Sequence, residues 1–207
     1  MANEYNTLAK DGYFELTEKH SKFIGNCRAV TSEEEAAGYI AFIKQQYKDA
    51  SHNVYAYYLR DGNLSRCTDD GEPSGTAGRQ LLAALQGPEI FDAAVVVTRY
   101  FGGTLLGTGG LSRAYAQTAS GAVQNAGFAV MTECGIFEIR CAYGLYDSLV
   151  FLLGSAGVKI IGTDYAEIIR ITAKCRSTEF GAVKELLAEK TSGKVEPVLL
   201  RNVFEPF

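Results

Sequence analysis

The chain has 207 residues, 47% of them apolar and 21% charged, and a net charge of −4. That balance excludes a disordered chain, which combines low hydrophobicity with high net charge, and no apolar run approaches the roughly 18–20 residues that span a bilayer. Residues 1–135 carry 11 basic and 15 acidic side chains and residues 136–207 carry nine of each, so neither half attracts nucleic acid by overall charge and such a partner would need a local basic patch.

Residues 1–11 are polar and lack an apolar export core, so a cytoplasmic chain is expected. Residues 13–16 and 22–30 read as two strands joined by a polar turn. Ser32 followed by Glu35 is a capping box, and the glutamate run 33–35 favours the positive end of a helix dipole. The helix predicted from there runs to about Lys48, with Ala36, Ile40 and Ile43 inward. Residues 54–59 and 64–67 read as strands around an Asp61-Gly62-Asn63 turn. Regular pattern then stops over residues 69–79. A helical stretch follows over 81–85, its start capped by Ser74 or Thr76. The β-branched run 93–98 reads as a buried strand, and a helix is predicted over 111–125. Beyond it the elements follow β-α-β-β-α-β, over 136–142, 145–153, 158–161, 167–174, 180–190 and 195–200, the ferredoxin-like pattern. The fold class expected is α+β, with a boundary near 132–135 that divides a domain of residues 1–132 from one of 133–207.

The two irregular segments carry the candidate site. Gly102, Gly103, Gly107, Gly109 and Gly110 stand within nine positions. Glycine is used where φ must be positive or a backbone must approach closely, and exposed amides at a helix start suit an anion. Arg99 and Arg113 bracket the run and are positioned to add charge-assisted bonds to a phosphate or carboxylate. The spacing matches neither the P-loop nor the dinucleotide fingerprint. Tyr100 and Phe101 are candidate stacking residues, with core packing as the plainer role. Asp69, Asp70 and Glu72 form an acidic turn that reads either as a Mg²⁺ cluster or as side chains bonded to nearby amides. His20 and His52 are the only histidines; His20 reads as solvated, and His52 as an orienting, ligand or catalytic residue. A Cys67–His52 nucleophile pair has no further support. The five cysteines (Cys27, Cys67, Cys134, Cys141, Cys175) are odd in number without C-x-x-C spacing, which argues against a disulfide framework or zinc knuckle and for buried thiols.

Residues 51–57 (SHNVYAY), 69–78 (DDGEPSGTAG) and 98–103 (TRYFGG) with Leu106-Gly107-Thr108-Gly109-Gly110-Leu111 and Arg113-Ala114-Tyr115 resemble the YigZ/IMPACT family over nearly the whole chain. The resemblance implies an N-terminal domain folded like domain IV of elongation factor G and a ferredoxin-like C-terminal domain like that factor's domain V. Eukaryotic members restrain the starvation-sensing initiation-factor kinase by competing for its activator protein. Bacterial members carry the second domain, and nucleic-acid or ribosome binding is usually proposed for them. The family often has Lys where Leu105 stands and Pro where Gln80 stands. The function expected is a non-enzymatic, translation-linked binding protein that engages RNA, the ribosome or a translation-associated protein, with no cofactor and no metal. Its site residues are His52, Asp69, Asp70, Glu72, Ser74, Thr76, Arg79, Arg99, Tyr100, Gly102, Gly103, Gly107, Gly109, Gly110 and Arg113. The alternative is a metal-dependent hydrolase or peptidase built on Asp69, Asp70, Glu72 and His52. The acidic and glycine-rich loops are expected to meet in one groove lined by Asp69, Asp70, Glu72, Arg79, Arg99 and Arg113.

Overall fold

The structure, a computed structural model, describes residues 4–207. The polar stretch read from Met1 therefore begins outside the described residues. The chain is a mixed α/β protein with strands and helices interleaved, and it divides into two compact units, one of residues 5–129 and one of residues 130–207 with Glu4.

The first unit is built on an antiparallel sheet. Its strands are β2 (Gly12–Glu18), β3 (Ser21–Ala29), β4 (His52–Leu59), β5 (Leu64–Thr68) and β6 (Ala93–Tyr100), in the order β2-β3-β6-β4-β5. The central β6 is fully buried from Ala93 through Thr98 because both of its faces are covered. Ala94 and Val96 meet α1 (Glu33–Gln46) in a core with Ala36, Tyr39, Ile40 and Ile43. Val95 and Val97, one position out of phase, meet α2 (Gly78–Gln86) and α3 (Gly107–Ala126) in a core with Leu81, Leu85, Tyr115 and Ala119. The period of two along a strand thus serves two layers of helix.

The α1 start matches its sequence signal with one change. Ser32 Oγ accepts the Glu35 amide at 3.1 Å, but the Glu35 carboxylate reaches the Thr31 amide at 2.7 Å rather than that of Ser32. The helix α3 lies very close to β2. A Cβ on Gly12 would stand 2.2 Å from the Ala122 carbonyl oxygen, so only glycine permits that approach.

The second unit follows the β-α-β-β-α-β order. Its elements are β7 (Phe128–Cys141), α4 (Tyr143–Ser155), β8 (Lys159–Asp164), β9 (Ile169–Arg176), α5 (Phe180–Thr191) and β10 (Val198–Pro206). The antiparallel order is β10-β7-β9-β8. The expected four-stranded sheet is joined by a fifth strand, β1 (Glu4–Leu8), whose first residue belongs to this unit. Phe137, Ile139, Ile169, Ile171 and Ala173 alternate inward against Leu149, Leu153, Val183 and Leu187 of the helices. Two strands depart from the sequence reading. β7 begins at Phe128, so residues 132–135, where the boundary is expected from the sequence, lie inside a strand. The last strand starts at Val198, after Val195 has been spent on the core and Pro197 has passed.

Candidate functional site

The site grows from the register of β4 against β6, which sets His52 opposite Arg99, and of β3 against β6, which sets Phe23 opposite Arg99 on the other side. Arg99 is therefore buried at the centre of the sheet, with a side chain only 5% exposed. Its guanidinium stands over the rings of Phe23 and Phe101 at 5.4 and 5.3 Å from their centroids. A buried guanidinium needs a counter-charge, and the acidic turn supplies it. Glu72 Oε1 accepts Arg99 Nη1 at 2.6 Å and the Tyr115 hydroxyl at 2.7 Å. Arg99 Nη2 donates to Ser21 Oγ at 3.3 Å, and the same hydroxyl accepts the Gly102 amide at 3.2 Å. Burial, reinforced by the Glu72 carboxylate, pushes the Tyr115 phenol far above its ordinary range, so it remains a hydrogen-bond donor.

The three acidic residues of the turn take three separate roles. Asp69 clamps its own loop to the start of α2, accepting the amides of Gly75 at 2.8 Å, Ala77 at 3.0 Å and Gly78 at 2.8 Å. Burial works to raise its carboxyl, yet these three amides, with Arg79 nearby, hold it below the usual carboxylate value. Asp70 accepts the Asn53 amide at 2.7 Å and Lys44 Nζ at 3.0 Å, and its carbonyl meets His52 Nδ1 at 2.8 Å. Only Glu72 turns toward the glycine-rich segment. The capping role expected of Ser74 or Thr76 falls to Asp69 instead. The Thr76 hydroxyl donates to the Pro73 carbonyl at 2.7 Å, and no side-chain cap comes from the helix's own N-cap residue, Ala77.

The acidic and glycine-rich segments meet, and a cavity of about 380 Å³ opens between them. Its polar lining includes His52, Glu72 and Arg99, and its apolar lining Pro73, Phe101, Leu105, Leu106 and Leu111. Of the six residues expected to line a groove here, Glu72 and Arg99 do so. Asp69 and Asp70 are engaged behind it, and the exposed Arg79 and Arg113 are not among its lining residues. Arg99 is not placed to meet a phosphate, because Glu72 already neutralises it in the interior. Tyr100 points elsewhere, donating to Asp49 at 3.0 Å.

The glycines also divide by role. A Cβ on Gly102 would fall 2.1 Å from the His20 backbone, so this glycine permits a close chain crossing. Gly107, Gly109 and Gly110 belong to the first turn of α3, which starts four residues earlier than the sequence indicates. Gly103 lies in the short segment between, with φ of +80°. Ser21 and Tyr115 complete the buried network without having been picked out as site residues. Tyr115 had two signals, as the one aromatic side chain in an Ala- and Gly-rich helix and as the end of the Arg113-Ala114-Tyr115 motif; Ser21, at a strand start, had none. The carboxylates on which a metal-dependent hydrolase would depend are each engaged as described. Among the described residues no three His, Cys, Asp or Glu side chains gather as a metal site. Cys67 opposes Ala56 in the β4–β5 ladder, away from His52. No helix among the described residues is long and apolar enough to cross a membrane.

The family model described as the Impact N-terminal domain matches residues 19–123, and one described as a domain of unknown function (DUF1949) matches residues 139–194. The chain is 33% identical to IMPACT family member YvyE of Bacillus subtilis, covering 94% of this chain and 90% of that one. It is 30% identical to IMPACT family member YigZ of Escherichia coli, covering 86% and 89%. Protein IMPACT of Danio rerio is 37% identical over 44% of this chain, which is 30% of its own length. A solved structure titled as that of an hypothetical protein aligns over 97% of this chain and 99% of its own, at 27% identity and a TM-score of 0.65.

Proposed function

The chain belongs to the IMPACT family, and we propose that it is a non-enzymatic regulatory binding protein whose cleft in the first unit engages a translation-associated protein. One observation carries the choice of a protein over RNA. Arg99 is the one arginine or lysine lining the cleft, and its charge is already neutralised by Glu72. Phosphate contacts need available cations, whereas the rim here is apolar. Leu105 is 83% exposed and Phe101 48% exposed, the kind of surface that a protein partner covers. Leu105 occupies the position where the resemblance leads one to expect a lysine, so this chain has an apolar contact where a relative would have a basic one. The translation link comes from the family's eukaryotic members.

The test is co-sedimentation of the purified chain with ribosomes and with nuclease-treated ribosomal protein fractions, for wild type and Leu105→Asp, at several salt concentrations. Binding by apolar contact should survive a rise from about 50 to 300 mM salt and be lost in Leu105→Asp. Six to ten phosphate contacts would lose on the order of 10³–10⁵ in affinity over a comparable rise. RNA binding of that salt dependence, unchanged by Leu105→Asp, would overturn the proposal.

A further inference from the structure

We infer that the cleft holds the free C-terminus of the partner protein, with the terminal carboxylate at the start of α3 and an apolar last side chain against the cleft's leucines. This rests on the protein-partner reading above and names the part of the partner that enters. Two sets of donors in the cleft lack acceptors. The first is Arg99 Nε. The Arg99 side chain lines the cleft and is 5% exposed. Its Nη1 and Nη2 are engaged by Glu72 and Ser21, whereas Nε is buried with no acceptor among the described residues. A buried donor stays costly until an acceptor reaches it. The second set is the start of α3. Leu106, Gly107 and Thr108 line the same cleft, and their amides donate to none of the described residues. Leu106 is right-handed (φ −85°, ψ −19°) and Gly107 follows at φ +71°, an alternation that turns successive amides to one side as an anion-binding concavity. The positive end of the α3 dipole lies there too, and neither an acidic residue nor a side-chain cap occupies the first turn.

Charge and shape narrow the occupant. Glu72 and Arg99 neutralise each other, so the spare Nε calls for a neutral acceptor such as a backbone carbonyl. The start of α3 calls for an anion, and one cation stands beside it. Arg113 Nη1 lies 3.6 Å from where a Cβ on Gly109 would be, and Arg113 forms no ion pair among the described residues. One guanidinium and a few amides match the single charge of a carboxylate, whereas a nucleic-acid backbone brings a charge at every unit. The apolar lining of Leu105, Leu106 and Leu111 belongs to a volume in the range that holds small organic groups. An acidic side chain would bring a carboxylate but leave those leucines uncovered. The last residue of a chain brings all three groups together: a carboxylate, its own side chain and a preceding peptide carbonyl. Capture of a C-terminal carboxylate by backbone amides is a recurrent mode of peptide recognition.

The test uses the full ¹⁵N-labelled chain titrated with acetyl-glycyl-glycyl-leucine, the same peptide ending in an amide, acetyl-triglycine and inorganic phosphate, read by amide shifts. The leucine acid should shift the amides of Leu106, Gly107 and Thr108 saturably. Its amide form should bind about tenfold more weakly, the usual effect of losing a charge-assisted hydrogen bond. Acetyl-triglycine should also bind about tenfold more weakly, for want of the apolar side chain. Phosphate should bind more weakly than the leucine acid. Arg113→Gln, at an exposed position, should weaken the leucine acid about threefold, as expected of an exposed ion pair, and leave the amide form unchanged; if that variant fails to fold, the wild-type panel decides alone. Failure of the leucine acid to bind, equal binding of acid and amide, equal binding of acetyl-triglycine, tighter binding of phosphate, or shifts confined to other surfaces would each overturn the inference. If the leucine acid fails while Leu105→Asp still releases the partner, C-terminal capture falls and the protein-partner reading stands. If the acid seats in the cleft while Leu105→Asp leaves partner binding intact, the cleft is no partner site and the inference falls as stated.

Discussion

Removing the Glu72 carboxylate would leave the Arg99 guanidinium charged and 5% exposed between two phenyl rings. Breaking a buried pair from one side typically costs about 3–5 kcal/mol, because the remaining charge is uncompensated. Glu72→Ala is therefore expected to lower unfolding stability by about that amount, measured as a shifted urea midpoint at unchanged slope. The double variant Glu72→Leu/Arg99→Met should recover most of the loss, since it removes both charges; a double variant no more stable than the single one would show that the pair does more than cancel charge. Sequence spacing alone grouped Glu72 with Asp69 and Asp70 as one acidic cluster. Spacing reports which carboxylates are neighbours in the chain, whereas the fold decides which of them faces Arg99.

The helix α2 shows how an element can be capped from outside itself. Its first amides are satisfied by Asp69, which ends the strand side of the loop, so the cap also ties β5 to α2. Because the folded carboxyl titrates below its ordinary value of 3.8, its contribution to stability is fully present above about pH 4 and is lost as the pH falls through the lowered folded value. Asp69→Asn should flatten that part of the acid-unfolding curve and lower stability at pH 7 by about 1–2 kcal/mol. Thermal unfolding of both proteins between pH 2 and 7 checks this, and parallel curves would reject the role. At this scale the sequence was most legible where one signal dominated: the β-branched run of β6, the Ser32 cap of α1 and the element order of the second unit. It was least legible where tertiary pairing overrode local pattern. The first residues of β7 and all of β1 are strands because they find partners in a sheet, and the glycines opening α3 are helical although glycine disfavours a helix.

Across the whole molecule, the two units have separate cores, each holding its own thiols. Cys27 sits in the first, and Cys141 and Cys175 in the second, while Cys67 is exposed. Burial pushes the Cys27 thiol up to about 12 and that of Cys175 to about 11, so neither is reactive in the folded state. Alkylation of the native protein should modify Cys67 alone. Pulsed alkylation across a urea series should then expose Cys27 and Cys175 at different midpoints, because separate cores open as separate cooperative units; coincident midpoints, read by mass spectrometry, would show one cooperative unit. The buried network of the first unit also has a consequence in time. Glu72 finds its partners 27 and 43 residues further along, at Arg99 and Tyr115. At roughly 5–20 residues per second of synthesis, the nascent chain carries that carboxylate for about 2–9 seconds before its last partner has been made. The cleft is thus assembled late, after the strand that bears His52 and the loop that bears Glu72 have already left the peptidyl-transferase centre.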